Sequence, residues 1–171
     1  MSTPSTSPSL IVRRAHADDA LIIASIYNET IEARDATMVL DPVTAEDMTK
    51  RLHGLSERES LWVLEENRLV QGWGVVKLYS ERPGYARACE TSVFLRRAET
   101  GRGLGSVIQP VLLQAAQEAG FHHVLVRIWA ANASSIAMHE KFGFTVVGTQ
   151  REVGFVDETW VDVTIMQCLL D

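Results

Sequence analysis

A glycine-rich segment at residues 100–106, Thr-Gly-Arg-Gly-Leu-Gly-Ser, is the feature of this chain that most limits its fold. It joins an apolar, strand-like run at 89–95 to an amphipathic, helix-like run at 104–119. Closely spaced glycines let the backbone approach a ligand, and the unbonded N–H groups at the start of a helix favour an anion. Because glycines also serve ordinary tight turns, the segment alone indicates only a strand-to-helix corner that suits a phosphate.

The composition indicates that this corner belongs to a single domain. The chain has 171 residues, 46% of them hydrophobic and 22% charged, which is enough for one core and too few for two comfortable domains. We expect one domain over 10–171, preceded by a disordered tail over 1–9. The tail lacks the basic and apolar regions of a signal peptide, so we expect a cytoplasmic protein.

Charge and cysteine content restrict the partners. The net charge of −6 and the pI of about 5.4 disfavour non-specific binding to nucleic acid or to an anionic membrane. No apolar run has the length of a membrane span, so a small molecule is the expected partner. Cys89 and Cys168 lie in apolar strand-like runs, which predicts buried reduced thiols and no metal site.

Hydrophobic periodicity predicts the element order β-α-α-β-β-β-α-β-α-β-β. The predicted strands are 10–14, 61–64, 70–79, 87–96, 124–129, 144–148 and 160–170, and the predicted helices are 18–33, 44–54, 104–119 and 134–142. This order is typical of an α/β (α+β) fold with a mixed, mostly antiparallel sheet of about seven strands flanked by four helices.

The sequence around the corner also distinguishes it from the glycine loops that bind dinucleotides or nucleoside triphosphates. A dinucleotide-binding fold carries an acidic residue at the end of the next strand, whereas here that strand ends Trp-Ala-Ala-Asn at 129–132. No Gly-Lys-Ser/Thr sequence completes a nucleoside triphosphate loop. A phosphate-bearing cofactor at the end of a mostly antiparallel sheet remains, and coenzyme A, with its pyrophosphate and pantetheine arm, fits this place.

Three segments together resemble the GNAT superfamily of N-acetyltransferases. They read ETSVFL at 90–95, GRGLG at 101–105 and NASSIAMHEKFGF at 132–144. Within the superfamily, the chain is most similar to the phosphinothricin and methionine sulfoximine acetyltransferases, with further likeness in IYNE at 26–29 and REVGF at 151–155. The resemblance covers about residue 10 to the end.

The resemblance implies acetyl-CoA as co-substrate, bound where two strands of the sheet splay apart. The pantetheine arm would pair with the strand backbone, the pyrophosphate would bind the amides of the glycine-rich corner, and the start of the next helix would reach the arm. These three groups are Val93, Phe94 and Leu95; Gly101, Arg102, Gly103, Leu104, Gly105 and Ser106; and Asn132 and Ser135. An ordinary helix N-cap is the alternative for Asn132. Thr100 departs from the family, which usually has Arg or Gln there.

Two residues match the positions that carry proton transfer in the resembling group. Glu90 would act as the general base that removes a proton from the attacking amine, directly or through water, and a paired strand glutamate is the alternative. His139 would protonate the leaving thiolate, and a helix histidine satisfied by a neighbour is its alternative. The implied reaction is direct acetyl transfer to a primary amine through a tetrahedral intermediate, without an acetyl-enzyme.

The acceptor pocket is expected beyond the thioester, lined by the first helix, the 80–87 loop and a connection at 151–160. Tyr27, Arg82, Tyr85 and Arg87 are the candidate substrate-binding residues, since cations and an aromatic wall suit a carboxylate or a phosphinate. Solvated loop cations are the alternative. A small amino-acid-like amine is the expected acceptor.

Two further readings stay open from the sequence. The acidic pair Asp157-Glu158 favours a cationic acceptor such as a polyamine or a protein N-terminus, and a non-catalytic acyl-CoA sensor is the non-enzyme alternative. The terminal strand, with Trp129 and Trp160, predicts a homodimer, as the resemblance also implies.

Overall fold

The computed structural model describes residues 9–171, so the predicted tail lies outside the described residues except for Ser9. The strands are β1 (Leu10–Arg14), β2 (Ser60–Glu66), β3 (Leu69–Leu78), β4 (Ala88–Leu95), β5 (His123–Trp129), β6 (Thr145–Val156) and β7 (Thr159–Leu169). The helices are α1 (Ala20–Ala33), α2 (Ala45–His53), α3 (Gly105–Glu118) and α4 (Ala133–Lys141). The predicted order of strands and helices is confirmed.

The seven strands form one sheet in the order β1-β2-β3-β4-β5-β7-β6. Every neighbouring pair is antiparallel except β4 and β5, which run parallel. That parallel pair has only three registered partners, and the last of them joins Glu90 to Leu125. Beyond this point β4 stays paired with β3 and β5 stays paired with β7, while the two strands separate. The sheet is therefore splayed at its centre.

Each face of the sheet carries its own apolar core. On one face α1 and α2 cover β2 and β3, where Trp73, Val75 and Ile23 are fully buried. On the other face α3 packs Ile108 and Leu112 against β3 and β4. Side chains alternate along a strand, so even-numbered residues of β4 face α1 and odd-numbered residues face α3. This alternation decides which side chains reach each side of the splay.

Local sequence determines where α2 begins. Thr44 Oγ1 accepts a hydrogen bond from the Asp47 N–H at 3.1 Å, and Asp47 accepts one from the Thr44 N–H at 2.8 Å. The two residues thus form the reciprocal capping box that their spacing predicts, and each satisfies a donor that a helix end leaves unbonded.

The 151–160 region differs from the prediction, which placed a connection there. Strand β6 instead continues to Val156, and only Asp157 and Glu158 link it to β7. Both turn residues have positive φ, as a two-residue hairpin turn of type I′ requires. An irregular register between Gln150 and Gly154 interrupts the pairing with β7, and this bulge broke the alternation that would have identified the strand.

Both cysteines are free and buried, in agreement with the prediction. Burial raises the pKa of the Cys89 thiol to about 12, so this side chain behaves as an apolar core residue. No helix within residues 9–171 is both long and apolar enough to cross a membrane.

Candidate active site

A cavity of about 500 Å³ occupies the splay between β4 and β5 and passes through the sheet. Its walls are the separated halves of the two strands, the glycine-rich corner before α3 and the first turns of α4. The predicted residues that line it are Val93, Phe94, Leu95, Gly101, Gly103, Leu104, Gly105, Ser106, Asn132, Ser135 and His139. A volume of this size suits a single elongated ligand.

The glycine-rich corner presents unbonded backbone donors to this cavity. Within residues 9–171 the N–H groups of 101–105 have no acceptor. They lie between the amide of Thr100, which donates to the Arg97 carbonyl at 3.4 Å, and that of Ser106, which donates to the Gly103 carbonyl at 3.0 Å. Gly101 and Gly103 have φ of 80° and 79°, a conformation that side-chain-bearing residues rarely adopt. The corner is therefore shaped to bind an anion such as a pyrophosphate.

The free edge of β4 supplies a second set of backbone groups. From Thr91 to Leu95 this strand has a partner on the β3 side and no strand partner on the β5 side. Buried backbone groups need hydrogen-bond partners, and an extended amide-bearing ligand can provide them as an added strand would. The residues present thus fit the pantetheine arm and pyrophosphate of coenzyme A.

Two side-chain polar atoms on the cavity wall are also buried, and neither has a hydrogen-bond partner among residues 9–171. They are Thr91 Oγ1 on β4 and Trp129 Nε1 at the end of β5. Burying such a group unbonded costs on the order of 1–3 kcal/mol, and a cost of this size is more typical of a ligand site than of a core. The sequence assigned Trp129 to a dimer contact, but its half-buried ring lines the cavity.

His139 is 5% exposed and lies on α4, where its ring meets Phe144 edge-on at 5.0 Å between centroids. Its Nδ1 donates to the Ser135 carbonyl at 2.8 Å, so the neutral ring carries its lone pair on Nε2. Burial lowers the pKa of this imidazole. The neutral form with a free Nε2 lone pair therefore dominates at neutral pH.

Glu90 is 8% exposed and lies where β4 and β5 begin to separate. Its Oε2 contacts the guanidinium of Arg127 on β5 and lies 3.6 Å from Nζ of Lys77 on β3. The three side chains share the sheet face that carries α1. Glu90 is thus a paired acid at the edge of the splay, and it does not itself line the cavity.

Sequence reasoning missed Arg127 and Lys77. Arg127 falls between Val126 and Ile128, two buried residues of the α3 face, so alternation alone points it to the opposite face. What the sequence could not supply was the strand order, which brings β3, β4 and β5 side by side.

Asn132 has the role of a helix N-cap. Its Oδ1 accepts hydrogen bonds from the Ser135 N–H at 3.1 Å and from the Ser134 hydroxyl at 3.0 Å. Both Asn132 and Ser135 also line the cavity, so capping fixes the first turn of α4 against it.

The structure places the predicted substrate-binding residues away from this cavity. Tyr27 is buried against Trp73 and Phe94, and its hydroxyl is bonded to Thr37 Oγ1 at 3.1 Å. Arg82 lines a separate depression beside the 80–86 loop. Tyr85 is exposed and meets the Tyr79 ring edge-on, with 5.2 Å between centroids, while Arg87 is exposed just before β4. The structure does not bring these four side chains together.

The side chain of Arg102 is occupied by two acids. Its Nη1 and Nη2 donate to both carboxylate oxygens of Glu66 at 2.9 and 2.8 Å, and Nη1 also contacts Glu99. Hydrogen bonds from Arg102 lower the pKa of Glu66. The guanidinium of Arg102 is therefore occupied, and Arg102 is the one residue of 101–106 that does not line the cavity. Residues 9–171 contain no group of three His, Cys, Asp or Glu side chains that could hold a metal ion.

Comparisons with known proteins agree with this geometry. Residues 12–165 match the acetyltransferase (GNAT) domain family. An L-methionine sulfoximine/L-methionine sulfone acetyltransferase of Salmonella typhimurium is 31% identical over 95% of each chain. A phosphinothricin N-acetyltransferase of Streptomyces viridochromogenes is 29% identical over 91% of this chain and 85% of its own. The crystal structure of a phosphinothricin acetyltransferase from Sinorhizobium meliloti, in complex with acetyl-CoA, superposes with a TM-score of 0.89 at 28% identity, covering 94% of this chain and 88% of that one.

Proposed function

The chain belongs to the GNAT family of acetyltransferases, and from that premise we propose that it transfers the acetyl group of acetyl-CoA to the primary amine of a small amino-acid-like acceptor. Phosphinothricin, methionine sulfoximine and methionine sulfone represent the acceptor type, since relatives at about 30% identity carry these names. The observation that carries the proposal is the run of unbonded N–H groups at 101–105 beside the free edge of β4.

Acetyl-CoA would be held mainly by backbone groups. The amides of the glycine-rich corner receive the pyrophosphate, and the dipole of α3 adds about 0.3–1 kcal/mol. The pantetheine amides pair with Val93, Phe94 and Leu95 on the free edge of β4. Asn132 and Ser135 lie across the splay, where they face the arm. The thioester would then lie in the part of the splay nearer Glu90.

Glu90 is the proposed base, directly or through water. An ammonium has no lone pair, so the acceptor must lose a proton before its nitrogen attacks the thioester carbon. The attack forms a carbon–nitrogen bond and a tetrahedral intermediate, whose oxyanion is stabilised by backbone N–H groups of β4. Collapse of the intermediate breaks the carbon–sulfur bond and releases the CoA thiolate.

His139 is the proposed proton donor to that thiolate. The Nδ1–H is committed to Ser135, so the neutral ring must accept a proton on Nε2 before it can donate one. The acceptor gives up two protons in the cycle, one from the ammonium to Glu90 and one from the nitrogen of the tetrahedral intermediate to His139, and the second balances the proton that the thiolate takes. His139 thus acts as a relay between the two ends of the reaction.

A panel of acceptors tests the proposal. Acetyl-CoA turnover is measured with phosphinothricin, methionine sulfoximine and methionine sulfone, and with spermidine and a short peptide bearing a free N-terminus. We expect the three amino-acid-like acceptors to be preferred, and Glu90→Gln to lower kcat by about 10²–10⁴-fold. Glu140→Gln, which changes an exposed acid of α4, is the matched control. A higher kcat/KM for spermidine or the peptide would reassign the acceptor, and full activity of Glu90→Gln would remove Glu90 as base.

A homodimer is the proposed assembly. Strand β6 is an edge strand of 12 residues, and unpaired edges of this length invite pairing with another chain. Phe155 and Trp160 stack on each other at 4.7 Å beside that edge, yet they remain 54% and 60% exposed. A second copy would cover them across a two-fold axis. Light scattering should give twice the chain mass for the wild type and the chain mass for Trp160→Glu, whereas a monomeric wild type would refute the dimer.

A further inference from the structure

Arg127 lies on β5 just beyond the point where β4 and β5 separate. It is two residues beyond Leu125, the last residue of β5 that is registered with β4. Its side chain is 43% exposed, lines the cavity and projects from the sheet face opposite α3. The glycine-rich corner lies at the start of α3, so Arg127 and the corner face the cavity from opposite sides of the sheet.

Arg127 and Lys77 share one acid of the cluster. Glu90 lies between the two cations, and Glu59 also lies near Lys77 on β3. Glu90 is almost fully covered, with 10% of its side chain exposed, whereas the side chains of Arg127 and Lys77 are 43% and 39% exposed. The side chains of the cluster that a ligand can reach are therefore the two cations.

Two contacts hold the guanidinium of Arg127 in place, and within the described residues several of its N–H donors stay unbonded. One nitrogen, Nη1, is bonded to Glu90, and the Tyr79 ring lies beneath the guanidinium with its centroid 6.0 Å away. Within residues 9–171 its remaining N–H groups have no hydrogen-bond acceptor. Guanidinium donors form a fixed fork that matches the two oxygens of a carboxylate. We propose that Arg127 binds the carboxylate of the acceptor, an assignment that rests on the proposed function.

The other cations of the cavity are less suited to this task. Arg97 is committed to both carboxylate oxygens of Asp35 at 3.2 and 2.7 Å. Lys141 is at the exposed end of α4, away from the ion-pair cluster. Arg82 and Arg87, which the sequence suggested, do not line the cavity. Arg127 alone among these combines an open fork with a place beside Glu90.

If Arg127 binds the carboxylate, Glu90 has a second role, as a positioning residue. Through its contact with Nη1 it fixes the plane of the guanidinium, and through Lys77 it ties β3 to the same cluster. An α-amino acid carries its amine one carbon from the carboxylate. A carboxylate bound by Arg127 would therefore keep the amine close to Glu90 and to the free edge of β4.

The assignment is tested with two acceptors, an amino acid and its amide, by the ratio of their kcat/KM values. Methionine sulfone is compared with methionine sulfone amide, which keeps the amine and lacks the carboxylate. In the wild type we expect kcat/KM to favour the acid by about 10–100-fold, the range that a charge-assisted hydrogen bond provides. Arg127→Gln should reduce this ratio to about threefold or less, mainly by raising KM for the acid. Arg127→Lys should keep an intermediate ratio, since it retains the charge and loses the fork.

The comparison of ratios between variants cancels the different basicities of the two amines. Arg82→Gln is the matched control and should keep the wild-type ratio, because Arg82 is exposed and lies at the separate depression. Thermal unfolding and CoA affinity verify that each variant is folded. An unchanged ratio in Arg127→Gln would overturn the assignment while leaving the proposed function intact.

A binding measurement separates failure of the assignment from failure of the proposed function. If no amine is turned over, the proposed function fails, and calorimetry with methionine sulfone on the CoA-saturated protein still reports on Arg127. Affinity that falls about tenfold or more in Arg127→Gln and is unchanged in Arg82→Gln supports the carboxylate site. Equal affinity in the wild type and Arg127→Gln, or absence of binding to both, overturns it.

Discussion

The two sides of the cavity are built from different chemical groups. On the side of α3, the candidate cofactor site consists of backbone N–H groups from one short segment, 101–105, and the free edge of β4. On the opposite side, the candidate acceptor site consists of the side chains of Lys77, Glu90 and Arg127 from three strands. Backbone donors persist through most substitutions, whereas a side-chain cluster changes with any one of its members. The first arrangement suits a fixed co-substrate and the second suits an acceptor that differs among relatives.

The strongest test of this difference is one substitution that displaces the backbone N–H groups of the glycine-rich corner. Gly103 has φ of 79°, and a valine there is strained even though nothing lies within 4 Å of an added Cβ. The strain costs about 1–2 kcal/mol, and a displaced corner would lose at least one charge-assisted hydrogen bond. We expect Gly103→Val to raise the Kd for CoA by about 30-fold or more, as measured by calorimetry.

The control for this variant is Gly84→Val. Gly84 also has nothing within 4 Å of an added Cβ, and its φ is not positive. Its Kd for CoA should equal that of the wild type. The KM of Gly103→Val for the acceptor, measured at saturating acetyl-CoA, should also stay unchanged. A Kd for CoA that is insensitive to Gly103→Val would mean that side chains and not the corner hold the phosphates.

The same contrast explains how much could be predicted from the sequence. The corner is local, so the spacing of Gly101, Gly103 and Gly105 predicted its place before a helix, and the structure confirms that place. The Glu90 cluster is non-local, because Lys77 and Arg127 are separated by 50 positions and meet only through the strand order. Candidate acceptor residues were instead sought in the 80–87 loop, where cations are frequent. Those side chains lie outside the cavity.

The fold was predicted from periodicity except where a strand is irregular. Helix α3 and the β2–β3 hairpin follow regular patterns, and both were predicted close to their observed bounds. Strand β6 was predicted to end at 148, where a polar run over 149–152 follows, but the strand continues through a bulge between Gln150 and Gly154. A bulge shifts the side-chain alternation by breaking the register, so pattern reasoning interpreted a strand as a loop.

A smaller effect, on the pH dependence of stability, is expected from His139, which lies on the α3 side of the cavity. Burial lowers the pKa of its imidazole below the unfolded value of about 6.5. Between the folded and unfolded pKa values, the unfolded chain binds a proton that the folded chain does not. The stability contributed by this group is therefore complete above about pH 6.5 and is lost as the pH falls toward the folded pKa.

His139→Gln should remove this part of the pH dependence. We expect the Tm of the wild type to fall by a few degrees more than that of His139→Gln between pH 7.5 and pH 5, as followed by circular dichroism. His122→Gln, which changes an exposed histidine, is the control and should follow the wild type. Parallel curves for wild type and His139→Gln would mean that the imidazole takes up its proton over the same pH range in the folded and unfolded states, so that burial does not hold it neutral.

The smallest predicted effect is that of Arg102 on the Kd for CoA, because Arg102 and Arg127 differ in how many of their donors are occupied. The fork of Arg102 is filled by Glu66 and Glu99, whereas the fork of Arg127 has donors left over. If the cofactor side depends on backbone groups, Arg102→Gln should change the Kd for CoA by less than about threefold, as exposed ion pairs contribute little. An increase of tenfold or more would show that a phosphate draws Arg102 away from its two acids. Recognition on the cofactor side would then depend on a side chain, just as it does on the acceptor side.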